Sequence, residues 1–118
     1  MVNRREMKVG FGVIGFLLVL LVFSCASASE IDAVPPHALV VDVRTPGEFE
    51  DWHYPGAINI PLQSLEKSLG KLPDKKKSII VYCRSGNRSS TAKKILISNG
   101  YEDVKNGGGL GDMKTFLP

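Results

Sequence analysis

The sequence predicts an α/β domain with a mainly parallel central sheet flanked by helices. Three observations carry that reading. The runs "ALVVDV" (residues 38–43) and "SIIVY" (78–82) are short, β-branched and apolar, as strands buried on both faces are. The segments between such runs carry helix signals, and strands alternating with helices favour a parallel sheet. At 118 residues, the chain has room for one small domain.

Each element has its own signal. After "ALVVDV", the stretch "TPGEFEDW" puts Pro46 in a first helical turn with acidic residues close behind, which suits a helix N-terminus. "AINIP" (57–61) reads as a second short strand that a proline ends. Leu62, Leu65, Leu69 and Leu72 recur at helical spacing, predicting an amphipathic helix that stops near residues 70–73. Lys75, Lys76 and Lys77 form a solvated loop before "SIIVY". Residues 89–99 read as a helix with Ala92, Ile95 and Leu96 on its apolar face and Gly100 as its stop. A brief strand around "DVKN" then leads into "GGGLGDM", an irregular turn before a last short helix. Gly107, Gly108 and Gly109 are expected to make a close backbone turn at the rim of the site.

Residues 1–28 differ from the rest. Arg4, Arg5 and Lys8 precede an apolar run over 9–23, and "SCASAS" follows, the order of a secretory signal peptide. Cleavage is expected after Ala28, with the product exported to the periplasm. Lipidation at Cys25 is an alternative, because "VFSC" faintly resembles a lipobox, and it would add a membrane anchor. Residues 29–37, with Pro35 and Pro36, read as an extended lead-in, leaving 38–118 as the domain. The 28-residue leader carries three of the 15 Lys and Arg and one of the 12 Asp and Glu, so the other 90 residues have a formal charge of only +1. A near-neutral domain gives no footprint for nucleic acid.

The chemistry concentrates in "VYCRSGNRSS" (81–90). Cys83 is the one cysteine beyond residue 28, so it has no internal disulfide partner there. It ends a strand just before a helix, where unpaired N–H groups and partial positive charge favour a thiolate. Arg84 and Arg88 are expected to favour it further, and Gly86 lets successive N–H groups turn inward as a nest. A buried structural cysteine would need neither feature.

Four blocks in order, "DVRTPGEF" (42–49), "HYPGAINIPL" (53–62), "YCRSGNRS" (82–89) and "NGYEDVKNGGG" (99–109), resemble the single-domain rhodaneses, with a shortened N-terminus. The resemblance implies a sulfurtransferase. Cys83 would take the sulfane sulfur of thiosulfate or a related donor as a persulfide, then pass it to cyanide or a thiol. Arg84, Ser85, Gly86, Asn87, Arg88 and Ser89 would bind the substrate, and Asp42 would orient the loop. The spacing Cys83 to Arg88 is Cys-x4-Arg, one residue shorter than the loops of cysteine phosphatases, which remain the rival enzyme class. A sulfur carrier or protein-interaction module with little thiosulfate activity is the third reading.

The remaining candidates are read more plainly. Arg44 and Glu48 are expected to pair at a strand end. His53 belongs to a structural turn and His37 to the surface. Trp52 and Tyr54 flank His53, where the family commonly has smaller or aliphatic residues; they are read as aromatic cover for a small core, with donor selection as the alternative. Two His and one Cys beyond residue 28 make no metal-ligand pattern, and "GGGLGD" lacks the lysine of a phosphate-binding loop. No metal or cofactor is expected, and the domain is read as a monomer.

Overall fold

Residues buried on both faces make the centre of a sheet, and Ile79–Tyr82 is such a run, with all four side chains buried. The computed structural model describes residues 29–118, so the expected leader, its expected cleavage after Ala28 and the alternative lipidation at Cys25 lie outside the described residues. Four parallel strands, β1 (Leu39–Asp42), β2 (Ile58–Asn59), β3 (Ile79–Tyr82) and β4 (Val104–Gly108), lie in the order β2-β1-β3-β4. Among the described residues three α-helices accompany them: α1 (Pro46–Asp51), α2 (Asn87–Ser98) and α3 (Leu110–Thr115). In register, Val41 stands opposite Val81 and Val81 opposite Asn106. The β3–β4 register then slips, so that Tyr82 meets Gly108 and Gly107 is left over as a bulge.

Alternation along the strands splits the core in two. On one face Val41, Val43, Ile79, Val81 and Cys83 pack with Leu65, Leu72, Ala92 and Leu96. On the other Val40, Ile80 and Tyr82 pack with Tyr54, Ala57 and Met113. Trp52 packs against this second cluster too, so both unusual aromatics cover the core as expected.

The helix expected from the leucine repeat forms instead as two 3-10 pieces, Leu62–Ser64 and Glu66–Lys71, with non-helical backbone at Ser68. The spacing explains the difference. Leu62 to Leu65 and Leu69 to Leu72 are each three apart, one 3-10 turn, and the irregular residue falls within the four-residue interval between them. Leu65 and Leu72 are buried all the same. Two other boundaries move: α2 starts two residues earlier than expected, and β4 runs on through Gly107 and Gly108, where a turn is expected.

The lead-in forms neither helix nor strand, but it is fastened to the outer edge of β4. The Glu30 N–H donates to the Asn106 carbonyl (2.8 Å), and the Asn106 N–H donates to Glu30 Oε1 (2.8 Å). This satisfies backbone groups that an edge strand would otherwise expose. Among the described residues, no helix is long and apolar enough to cross a membrane.

A buried ionic cluster sits where β1 and β3 end. Asp42 and Arg44 are 0% and 2% exposed. Arg44 Nη2 lies 2.6 Å from Asp42 Oδ2, and Nε lies 2.9 Å from Oδ1. The Tyr82 hydroxyl donates to the same carboxylate at 2.7 Å and accepts the Tyr54 N–H at 3.0 Å. Burial, reinforced by the adjacent carboxylate, pushes the Tyr82 hydroxyl well above its ordinary range, so it stays a donor. Arg44 therefore does not pair with Glu48 as expected: its guanidinium turns inward to Asp42 and to the Trp52 carbonyl at 2.6 Å.

Removing one partner of a buried pair leaves the other charge uncompensated. Asp42→Ala is expected to cost about 3–5 kcal/mol of stability. Tyr82→Phe, which leaves the ion pair intact, should cost about 1–3 kcal/mol. Urea unfolding of the two variants against wild type checks both the order and the sizes.

Candidate active site

The loop that follows β3 is seated on the end of β4. The Cys83 N–H donates to the Gly108 carbonyl (3.1 Å), and the Leu110 N–H donates to the Arg84 carbonyl (3.1 Å). Ser85 and Gly109 bridge antiparallel between these bonds. Only a residue without a side chain fits at 109, because a Cβ there would stand 2.5 Å from the Arg84 carbonyl oxygen. The loop then turns through Gly86, whose φ of 94° lies in the left-handed region, and runs directly into α2.

This turn aims donors at one atom. Cys83 Sγ accepts from the Gly86 N–H at 3.1 Å, the Ser89 N–H at 3.4 Å and faces the Ser89 hydroxyl at 3.4 Å. The residue is 1% exposed. Burial by itself pushes the thiol up. The Ser89 hydroxyl and the N–H groups of Ser89, Ser85 and Gly86 outweigh it, and the net direction is down.

Charge plays a smaller part than the two loop arginines suggest. Arg88 is held by Glu48 of α1 through two parallel bonds, Nη1 to Oε1 at 2.9 Å and Nη2 to Oε2 at 3.0 Å. Thr45 caps α1 and also bonds Glu48, so this carboxylate is tied both to its own helix and to the loop. Arg84 differs. It is exposed, and its guanidinium has no hydrogen-bond or ion-pair partner among the described residues. It borders a depression of about 210 Å³ lined by Arg44, Glu48, Asp51, Trp52 and Leu110 as well. Trp52 thus serves the core with one side and this depression with another.

The predicted site residues divide accordingly. Gly86 and Ser89 touch the sulfur, and Ser85 contributes its N–H. Asn87 is exposed at the first position of α2. The Asp42 carboxylate accepts from Arg44 and from Tyr82, the residue before Cys83, so it bears on the loop through Tyr82. His53 is structural: Nδ1 donates to the Phe49 carbonyl at 2.9 Å, and the ring stacks on Phe49 at 3.8 Å.

One residue that sequence reasoning passed over is Asn106, 6% exposed. Its Nδ2 donates to the Gly86 carbonyl (3.1 Å), and Oδ1 accepts from the Ser89 hydroxyl (2.7 Å) and the Gly108 N–H (2.9 Å). The available signal was a lone amide beside the glycine run of a buried strand, since a buried polar side chain needs partners.

Residues 27–110 match the rhodanese-like domain family. The thiosulfate sulfurtransferase PspE of Escherichia coli (strain K12) is 43% identical over 74 residues, covering 62% of this chain and 71% of the relative. The thiosulfate:glutathione sulfurtransferase of Saccharomyces cerevisiae is 38% identical over 81 residues; the match spans 58% of this chain and 58% of the yeast protein. Among solved structures, a rhodanese with anions from E. coli superposes with a TM-score of 0.62 at 41% identity, over 69% of this chain and 94% of that one.

The Glu48–Arg88 pair predicts a pH dependence. The Arg88 guanidinium, with help from Thr45, holds the Glu48 carboxyl down from 4.5 to about 2. A depressed carboxyl stabilises the fold above its unfolded value, and that stability is lost as pH falls from 4.5 through about 2. The pair lies near the surface, where screening limits it to about 1 kcal/mol. Wild type is expected to lose this increment across that window, and Glu48→Gln to lack it, in urea unfolding at a series of pH values.

Proposed function

The chain belongs to the rhodanese-like family and is a sulfurtransferase of that kind; we propose that Cys83 is its sulfur carrier and thiosulfate, or a donor of like chemistry, its source. The observation that carries this reading is the buried Sγ at a strand end with backbone N–H groups and a hydroxyl aimed at it. Donors alone around a sulfur make a socket for negative charge.

In the first step the Cys83 thiolate attacks the outer sulfur of thiosulfate. A new S–S bond forms, the donor's S–S bond breaks, and its electron pair leaves with sulfite. The product is a Cys83 persulfide anion. In the second step a thiophile attacks the outer sulfur and the Cys83 thiolate leaves. Cyanide is converted to thiocyanate in this way, and a thiolate to its own persulfide. Both steps keep one negative charge on sulfur beside the loop, where the inward N–H groups of Ser85, Gly86 and Ser89 stabilise it. Arg84 is the cation open to an incoming dianion, whereas Glu48 occupies Arg88. The depression beside Arg84 and Trp52 is the place for the bulk of a donor or acceptor.

Sulfur is favoured over phosphate because the loop donors close on a single atom at 3.1–3.4 Å. Cys83 is the sole cysteine among the described residues, which suits a persulfide that a neighbouring thiol would discharge. We assign catalysis to residues 38–118, with 29–37 as the strap along β4. The charged, apolar and small-residue order of 1–28 supports export to the periplasm.

Intact mass spectrometry tests the assignment directly. Incubation with thiosulfate is expected to add one sulfur atom, and cyanide to remove it. Cys83→Ser should fold and show neither change; sulfur transfer above background by this variant would sink the reading. The arginines should separate by donor. Arg84→Ala is expected to raise KM for thiosulfate roughly tenfold, equivalent to about 1.4 kcal/mol, with little effect on a neutral polysulfane. Arg88→Ala, whose partner is Glu48, should slow both donors alike. Steady-state kinetics with the two donors checks this split.

A further inference from the structure

The Ser89 hydroxyl has one proton and two acceptors within reach. Its Oγ lies 2.7 Å from Asn106 Oδ1 and 3.4 Å from Cys83 Sγ. The proton can serve only one of them, and it changes partner by rotating about Cβ–Oγ with no heavy atom moving. The Asn106 amide is fixed in orientation by its other neighbours. The Gly108 N–H can only donate and the Gly86 carbonyl can only accept, so Oδ1 must face the first and Nδ2 the second.

Oδ1 therefore holds two donors at once. When the Ser89 hydroxyl turns away, Oδ1 keeps the Gly108 N–H and is not left unsatisfied. The outcome depends on the charge of the sulfur. A neutral thiol is a weak acceptor, so the amide oxygen at 2.7 Å holds the proton. A sulfur anion makes a charge-assisted bond, roughly twice as strong as a neutral one, and the preference reverses.

We propose that Ser89 is a turning donor, held on Asn106 while Cys83 is a neutral thiol and turned onto the sulfur when it carries negative charge. Asn106 is its positioning residue. The donor count at sulfur thus rises when charge forms there, in the thiolate and again in the persulfide. The place of this device in a catalytic cycle rests on Cys83 being the sulfur carrier. The test needs only the ionisation of the thiol, so the two readings fail separately.

The charged groups around the pair are Arg84 and Arg88 in the loop, Glu48 on α1 and the Asp42–Arg44 pair at the end of β1. Asp112 on α3 holds the Gly109 N–H, and Glu30, paired with Lys93 of α2, holds the Asn106 N–H. All of them stay unchanged in Ser89→Ala, Ser89→Thr, Asn106→Ala and the Ser89→Ala/Asn106→Ala double variant. The Cys83 thiol is titrated in each by thiolate absorbance. Ser89→Ala is expected to move the titration up by roughly one pH unit, and Ser89→Thr, which keeps a hydroxyl, to restore it. Asn106→Ala should move it down, because the hydroxyl then has only the sulfur to serve, and in the double variant that downward step should vanish. An unchanged or upward titration in Asn106→Ala would make the amide a mere support of the loop and overturn the proposal. The side-chain carbonyl carbon resonance of Asn106 gives a second reading in the wild-type protein and in Ser89→Ala. It should shift as the thiol ionises and lose that shift without the hydroxyl; a resonance that behaves alike in both overturns the turning donor even where Asn106→Ala does not fold.

Discussion

The close approach of two backbones at Gly109 and Arg84 underlies the rest of the site. The sulfur chemistry proposed for Cys83 needs N–H groups that point inward. That requires a loop bent through Gly86, which in turn needs a floor that holds the bend. The floor is the end of β4, where the Gly108 carbonyl and the Leu110 N–H clamp the loop on either side of a residue with no room for a Cβ. The β3–β4 slip at Gly107 brings Gly108 opposite Tyr82, and so brings these groups into line with the loop. A floor with side chains would lift the loop and turn its N–H groups away from the sulfur.

The division of charge follows from the same economy. Asp42 and Arg44 neutralise each other below the strand ends, and Glu48 and Arg88 do so at the loop's flank. What the sulfur meets directly is a set of dipoles, the Gly86 and Ser89 N–H groups among them. Dipoles at 3.1–3.4 Å in a buried site are little affected by salt, and they lower the thiol without a full neighbouring charge. Among the described residues, no buried side-chain nitrogen or oxygen lacks a partner, so the polar interior does not strain the small core around it.

Much of this was legible in the sequence, and the parts that were not share a cause. Strand β3, helix α2 and the place of Cys83 between them follow from local apolar runs and a glycine, which one segment displays by itself. The family was legible because four motifs come in order along nearly the whole domain. Local reading failed where distant residues choose the partner. Arg44 was matched to Glu48 by proximity in sequence, yet its guanidinium turns to Asp42 and to the Trp52 carbonyl, and Glu48 reaches 40 positions to Arg88. The leucine repeat showed which side chains would be buried and not which helix would bury them. Asn106 was passed over because a single amide in "DVKN" looks like a strand end until β4 is seen to lie beside the cysteine loop.

Asn106 also explains why the strap at 29–37 matters to a sulfur it does not bond. Helix α2 carries Ser89 and β4 carries the floor, so the geometry at sulfur is only as fixed as the contact between these two elements. They are joined twice at the same residue. The Asn106 side chain bonds Gly86 and Ser89 at the start of α2. Its backbone bonds Glu30, whose carboxylate meets Lys93 one turn farther along the same helix. The Lys93–Glu30 pair is exposed and contributes little by itself. Its value is geometric, because Glu30 also takes the backbone N–H of an edge strand and so fixes the strand against the helix. The inner bond positions the donor, and the outer one holds in place the two elements between which the donor is positioned.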